Sequence, residues 1–592
     1  MLVARRVMRR GFGPTSCENG CLWCVSRGTF DGLKKSWRNW EQHMHARAAA
    51  AGLIIGSSVL CAGLRAQPCE PASQTKASDA LTRTLATRGA SVRAWVIFQD
   101  KGLTPADEAL AIADLEHTYP ARAVERRRLR RTDPGLFDAR DLPVSARYQD
   151  QVRGLGLTII QESRWANAVS VQVTSADVQA LSALPCVRAI SPVRFGTGVP
   201  QVDAHDAAPA YGARDFYGQS SNQLTQIDLP ALHARGYTGQ GVIIGILDTG
   251  FRRDHAAFNQ AGHVVNVLAE YDFINHDGNA GIDPGDPADQ HTHGTLILGC
   301  IGAYLPGTLV GGAYDASFVL CKTEDVTSEM PIEEDNYVAG LEFIEMHGGD
   351  MTTSSLGYSD WYTQADFDGV TAVTTIGVNT ATANGVFCCT AAGNDGHDSD
   401  PATSHLIAPA DAFNVITCGA ANGSGSIAGF SSDGPTADGR LKPEILARGV
   451  NTWTVSPNDA SSLSQASGTS LSTPLVAAAV ACLVQAHPNW TVAQMREAIF
   501  HTASDFIANG QPDPLFVRGY GVLDANAAAG PACDPDVNQD GVADQGDVDY
   551  LINVVAGGGN PAGIDPDFNH DGVADQGDVD ALVNAVAGGG CP

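Results

Sequence analysis

Three short strings lie in a fixed order along this chain: Asp248-Thr249-Gly250, His293-Gly294-Thr295 and Gly468-Thr469-Ser470-Leu471-Ser472-Thr473-Pro474. A carboxylate can hold an imidazole in one tautomer, and that imidazole can take the proton of a hydroxyl. An aspartate, a histidine and a serine therefore suffice for an activated nucleophile, and the chemistry they point to is acyl transfer. Ser467 and Ser472 flank Ser470, but neither follows the Gly468-Thr469 pair, and the Thr-His-Gly-Thr context singles out His293 over His291. Asn394, closing Ala391-Ala392-Gly393-Asn394, adds a side-chain donor for the oxyanion of a tetrahedral intermediate, beside the Ser470 amide. Taken alone, it reads equally well as a turn former before Asp395-Gly396.

The elements that must position these groups are legible as apolar runs. Val242 to Leu247 is continuous, as expected of a strand buried on both faces of a parallel sheet. Asp248 then stands at its carboxyl end, the edge where ligand chemistry collects in open α/β sheets. Ser317 to Leu320, Val386 to Cys389 and Val415 to Cys418 predict further strands. An apolar helix over Thr295 to Ile301 puts His293 at its amino end, and a second over Leu475 to Val484 is opened by Ser470, where backbone amides favour developing negative charge. Pro474 is read as part of the first turn, which needs no amide donor. The fold class expected is α/β, a doubly wound parallel sheet.

With 592 residues, 44% hydrophobic and 17% charged, the chain is globular and holds several domains. Its net charge of −29 excludes a nucleic-acid surface as the main business of the molecule. The 17-residue apolar run Ala48 to Leu64 follows His43, His45 and Arg47 and precedes a polar stretch from Gln67, the layout of a secretory signal. A membrane anchor is the alternative, the run being near the lower length limit for a span. With the signal removed, no stable membrane span is expected and the protein is extracellular or on the cell surface. The division is 1–43 as an upstream extension, 44–66 as signal, 67–90 as linker, 91–195 as a small α+β prosegment, 205–530 as the catalytic domain and 531–592 as a separate tail. Within 91–195, strands are expected at Val92 to Phe98, Ala168 to Val173 and Val187 to Ile190, and helices near Asp107 to His117 and Ala176 to Ala183. Its excision is expected somewhere in Phe195 to Tyr211. Of fourteen cysteines, Cys17, Cys21 and Cys24 lack the second ligand pair of a zinc site. Cys388 and Cys389 read as buried thiols, and Cys533 and Cys591 as a pair bracketing the tail.

That tail holds twelve Asp and no Lys or Arg, and residues 536–549 and 567–580 repeat at an offset of 31. Oxygen side chains recur at loop positions one, three, five, nine and twelve: Asp536, Asn538, Asp540, Asp544 and Asp547, then Asp567, Asn569, Asp571, Asp575 and Asp578. Gly541 and Gly572 supply the sharp turn, so each copy is an EF-hand calcium loop with Asp in place of the closing Glu. Two bound calcium ions are the expected cofactor, none being needed for the acyl chemistry. Each loop leads into an apolar helix, Tyr550 to Val555 and Ala581 to Val586.

The strings DTG, HGT, AAGN and GTSLSTP, with Ser354 to Tyr358 (SSLGY), resemble in order the blocks of the subtilisin-like serine proteases over about residues 225 to 525. The resemblance implies endoproteolysis of protein and peptide substrates through an acyl-enzyme, with Ser470 attacking, His293 shuttling the proton, Asp248 orienting and Asn394 stabilising. It also implies that Ser355, Leu356 and Gly357 face Ala391, Ala392 and Gly393 across the substrate cleft, and that 91–195 is an inhibitory prosegment. Arg448 departs from the family's proline, and no loop of the catalytic region matches a family calcium site. The paired loops resemble a dockerin module, which implies a cohesin-like or cell-surface partner; a calcium-stapled cap is the plainer alternative. A catalytically silent adhesion protein on the same fold is the rival reading of the whole, weakened by all four chemical positions being filled.

Overall fold

The computed structural model describes residues 76–88, 91–193, 203–206, 215–326, 333–359, 362–530, 535–569 and 573–587. The expected signal and upstream extension, Cys17, Cys21, Cys24, Cys533, Cys591, Asp571 and most of 195–211 lie outside the described residues.

The stretch expected to be linker is not all linker. Helix α1 (Asp79–Arg88) buries Leu81 completely, because a single apolar stripe on an otherwise polar helix is enough to dock it. It lies against a four-stranded antiparallel sheet of β1 (Val92–Phe98), β2 (Ile159–Ser163), β3 (Ala168–Val173) and β4 (Val187–Pro192), in the order β2-β3-β1-β4. One face of β1 presents Val92, Ala94, Val96 and Phe98 to the prosegment core, and the other presents Arg93 and Trp95, also buried. Between β1 and β2 come α2 (Pro105–Thr118), α3 (Ala121–Arg130) and α4 (Ala146–Gly154). Thr104 caps α2 and Pro105 starts it, while α5 (Ser175–Ser182) carries a capping box made by Thr174 and Asp177. The strand β5 (Asp203–Asp206) lies beyond the prosegment sheet.

The catalytic part is built on seven parallel strands: β6 (Ile243–Asp248), β7 (Asn266–Asp272), β8 (Ser317–Lys322), β9 (Met351–Ser354), β10 (Phe387–Ala391), β11 (Ile416–Ala421) and β12 (Ile445–Arg448). Their order, β12-β11-β10-β9-β6-β8-β7, places the chemistry-bearing β6, β9 and β10 side by side. Helices α6 (Thr292–Gly302) and α9 (Thr469–Ala486) pack in the main core on one face; α7 (Glu333–Met346) and α8 (Val373–Ala383) pack in a second core on the other. The doubly wound expectation holds. Helix α9 is long and apolar enough to cross a membrane, yet 94% of that stretch is buried in the protein, which makes it a core helix. A hairpin of β13 (Thr452–Val455) and β14 (Leu463–Ser467) leads into α9, and β5 pairs antiparallel with β14.

In the tail, α10 (Gln545–Val555) and α11 (Gln576–Val586) start several residues earlier than their apolar runs, because Asp544 and Asp575 cap them with Asp547 and Asp578 closing capping boxes. Val548, Leu551, Val579 and Leu582 join Val537 and Phe568 in a small core of their own.

Candidate active site

Asp248 ends β6 and is completely buried, and its Oδ1 accepts from the Thr249 N–H at 2.7 Å and from His293 Nδ1 at 2.8 Å. The imidazole can come this close because His293 stands in the first turn of α6 and the next residue has no side chain. A methyl group at Gly294 would lie 2.3 Å from the Gly250 carbonyl oxygen and 3.1 Å from Asp248 Cβ. With Nδ1 donating to the carboxylate, Nε2 is the basic nitrogen.

Ser470 is the second residue of α9, and Pro474 is the sixth, beyond the first turn where the sequence suggested it would fall. Its missing N–H would have bonded the Ser470 carbonyl. That carbonyl instead accepts from Ser355 Oγ at 2.9 Å, and Ser470 Oγ donates to Ser355 O at 3.3 Å. His293 Nε2 makes no hydrogen bond among the described residues. The carboxylate–imidazole half of the constellation is thus closed and the imidazole–hydroxyl half is open, as is common before substrate draws such bonds tight.

Asn394, just past β10, has its side-chain Oδ1 fixed by the Thr469 N–H at 2.8 Å and Thr469 Oγ1 at 2.9 Å, so its NH2 is the donor end beside the nucleophile. Thr469 Oγ1 also lies 3.1 Å from Gly393 O. Ser355, Leu356 and Gly357 follow β9, and Ala391 ends the neighbouring β10 with Ala392 and Gly393 just beyond it, so the two expected walls stand at one edge of the sheet. All six are buried, and Gly357 abuts Ile407 too closely to carry a side chain. Gly393 has a φ of +118°, with Ser432 Oγ 2.6 Å from where a Cβ would stand.

Several contributors were invisible in the sequence. Gln290 Nε2 donates to Thr249 O at 2.6 Å and to Glu324 O at 2.5 Å, tying the turns after β6 and β8 to the loop that delivers His293. His291 bonds Pro457 O at 3.1 Å, and burial lowers its pKa, which suits a structural neighbour. Carboxylate oxygens of Asp272, Asp277 and Asp283 approach within 4.8 Å of one another. The buried Lys322 ammonium lies 2.8 Å from Asp272, 2.5 Å from Asp286 and 3.5 Å from Asp283, supplying a cation from the chain itself. Burial opposes that charge, but Asp272 and Asp286 outweigh it and raise the Lys322 pKa. Cys388 and Cys389 are buried thiols as expected, and burial pushes Cys388 up to about 12, out of reactive range.

Residues 239–522 match the Subtilase family, and residues 93–205 match the Peptidase S8 propeptide domain, Bacteroidota. Subtilisin of Bacillus pumilus is 30% identical over 307 residues, covering 52% of this chain and 97% of that relative. The chain belongs to the subtilase family. It is a serine-type endopeptidase with an N-terminal propeptide. Subtilisin E of Bacillus subtilis (strain 168) is 28% identical over 386 residues, 65% of this chain and 86% of its own length. Fervidolysin from Fervidobacterium pennivorans shares the fold at a TM-score of 0.51 and 22% identity over 66% of this chain. This subtilase spans 60% of the fervidolysin chain.

Proposed function

We propose that this subtilase hydrolyses peptide bonds with Ser470 as nucleophile. His293 Nε2 accepts the hydroxyl proton as Ser470 Oγ attacks the carbonyl carbon. Asp248 holds the ring and stabilises the imidazolium, and the Asn394 amide with the Ser470 N–H receives the oxyanion. The imidazolium then gives its proton to the departing amine, and water, activated in the same way, releases the acyl group. The observation that carries this reading is the buried Asp248–His293 bond beside a serine whose backbone is locked to Ser355 and whose neighbour Thr469 is locked to Asn394. Ser470→Ala abolishes casein cleavage, prosegment removal and labelling by a fluorophosphonate; retained turnover would remove the mechanism.

Strand direction supports our reading of the propeptide boundary. β5 pairs with β14 so that Asp203 stands opposite Ser467 and Asp206 opposite Ser464, and the strand runs away from the Ser470 end of β14. This supports excision just upstream, within Phe195 to Tyr211, after export under the signal at 44–66. N-terminal sequencing of the secreted protein checks it; a start near residue 67 would overturn it.

For the tail we propose a dockerin-like module holding two calcium ions and binding a cohesin-like or cell-surface partner. The donors are all oxygen, the kind that suits a hard divalent cation. Asp536 draws in the Asp540 and Gly541 N–H groups at 3.0 and 2.7 Å, and the fully buried Asp547 takes those of Asn538 and Asp544 at 2.9 and 2.8 Å. Asp578 repeats the pattern with Asn569 and Asp575 at 2.9 and 2.7 Å. Bound calcium would supply positive charge to these loops and order them. Val542 and Val573, and likewise Ile552 and Val583, are exposed at equivalent places in the repeats, apolar surface that suits a protein partner. A pull-down from the parent culture's surface fraction, in calcium against chelator, captures a partner only in calcium; none in either condition favours the cap.

A further inference from the structure

The propeptide holds the catalytic domain at two adjoining places. Its sheet covers α7, where Arg93 pairs with Asp335, Gln161 bonds Asn336 and Ser163 bonds Glu342. The second place is reached by the arm between β1 and β2, which wraps to the amino edge of the parallel sheet. Arg122 donates to Gly241 O at 2.7 Å, just before β6, and to Asp350 at 2.6 Å, just before β9. Arg126 donates to Gly349 O at 2.7 Å, Thr132 N to Ala383 O at 3.0 Å before β10, and Arg130 to Pro488 O at 2.7 Å. Asp248, Ser355 and Asn394 all stand at the opposite, carboxyl edge.

One catalytic-domain carboxylate is the hub of this arm. Glu345, near the end of α7, is bonded by Arg126 and Tyr119, by Arg127 Nε at 3.0 Å and by Arg164 Nη2 at 3.0 Å. Arg127 is shared with Asp141 at 2.6 Å, and the side chains of Arg126, Arg127 and Glu345 are at most 1% exposed. Planar guanidinium forks saturating one buried carboxylate make a selective contact, and removing the carboxylate strands several buried cations at once.

We propose that this arginine arm is a second recognition site for the propeptide, on the sheet edge opposite the cleft, and that Glu345 sets how tightly the severed propeptide stays bound. The inference rests on the protease reading only in that the chain must cut itself. The test follows full-length protein after self-cleavage by gel filtration and by the onset of peptidase activity on a short peptide. The native chain carries its propeptide through the column and shows a lag. Glu345→Gln loses co-elution and shortens the lag by about tenfold or more, with the final kcat and KM unchanged. Unchanged lag and co-elution in Glu345→Gln overturn the proposal, whereas a native chain that never cuts or never becomes active overturns the protease mechanism instead. Should Glu345→Gln not fold, Tyr119→Phe removes one hydrogen bond without unpairing a charge. A shortened lag in Tyr119→Phe supports the anchor and an unaltered one overturns it.

Discussion

At the scale of single residues, the backbone at Ser470 depends on a trade between a proline and a serine. Pro474 denies the Ser470 carbonyl its helical partner, and Ser355 Oγ takes the vacancy at 2.9 Å. Ser355→Ala leaves a buried carbonyl unmet and costs about 1–3 kcal/mol. In a Pro474→Ala background the helix supplies an N–H again, so the same substitution costs less. A double-mutant cycle by denaturant unfolding, with kcat measured alongside, reads the difference; equal costs in both backgrounds would show that the two residues are not coupled through that oxygen. Asn394→Ala removes an oxyanion donor without touching the nucleophile and lowers kcat by about 100- to 1,000-fold with little change in KM, measured on a peptide substrate.

At the scale of elements, the closeness of α6 to β6 decides whether Asp248 and His293 meet. Gly294→Ala drives a methyl group against the Gly250 carbonyl and destabilises by about 3 kcal/mol, the upper part of the overpacking range, while removing most of the activity. Thermal unfolding and casein hydrolysis measure both; near-native activity would show that the helix can shift without losing the pair. The propeptide arm makes an opposite kind of contact, ionic and buried, and its pH response follows from sign. Burial would raise the Glu345 carboxyl, but Arg127, Arg126 and Arg164 outweigh it and hold it well below the ordinary glutamate range. Its contribution is therefore complete above the unfolded value of 4.5 and fades only as pH falls towards the depressed one. Burial raises Glu342 and Asp335, two further carboxyls at the interface, so protonating them as pH falls relieves a penalty. With Tyr119 pushed further up by burial, none of these four groups weakens the contact between pH 7 and pH 5. Gel filtration of the severed complex at both pH values gives the same co-elution; release at pH 5 would contradict this.

At the scale of the whole molecule, the tail and the catalytic domain bury separate apolar clusters, so stability and catalysis are expected to separate. A small core such as that of α10 and α11 needs help, and a calcium ion in each loop is a source of it. Chelation lowers the unfolding temperature of the tail by calorimetry, with peptidase activity on a short peptide retained, and Asp547→Asn with Asp578→Asn reproduces the effect without chelator. Equal loss of catalytic stability in chelator would point instead to a cation within the catalytic domain, where carboxylate oxygens of Asp272, Asp277 and Asp283 approach one another.

The candidate site residues were legible because short Gly/Thr-rich strings abut apolar runs, and a continuous apolar run has few places to go but the middle of a sheet or a core helix. Asp248, His293, Ser470 and Asn394 stand at the strand and helix ends where that reasoning put them, and β6, β8 and β10 match their expected runs within a residue or two. Helix starts were misjudged at α10 and α11, because polar caps and first turns carry no apolar signal. The docking of α1 through Leu81 and the burial of the Arg126–Arg127 arm were hidden for a related reason: composition scores them as linker and solvated charge. Lys322, Gln290 and Glu345 are single polar residues whose partners lie dozens to hundreds of positions away. Local pattern records how a segment meets water, whereas the pairing of a buried polar group depends on which other segment arrives beside it, and only the folded chain decides that.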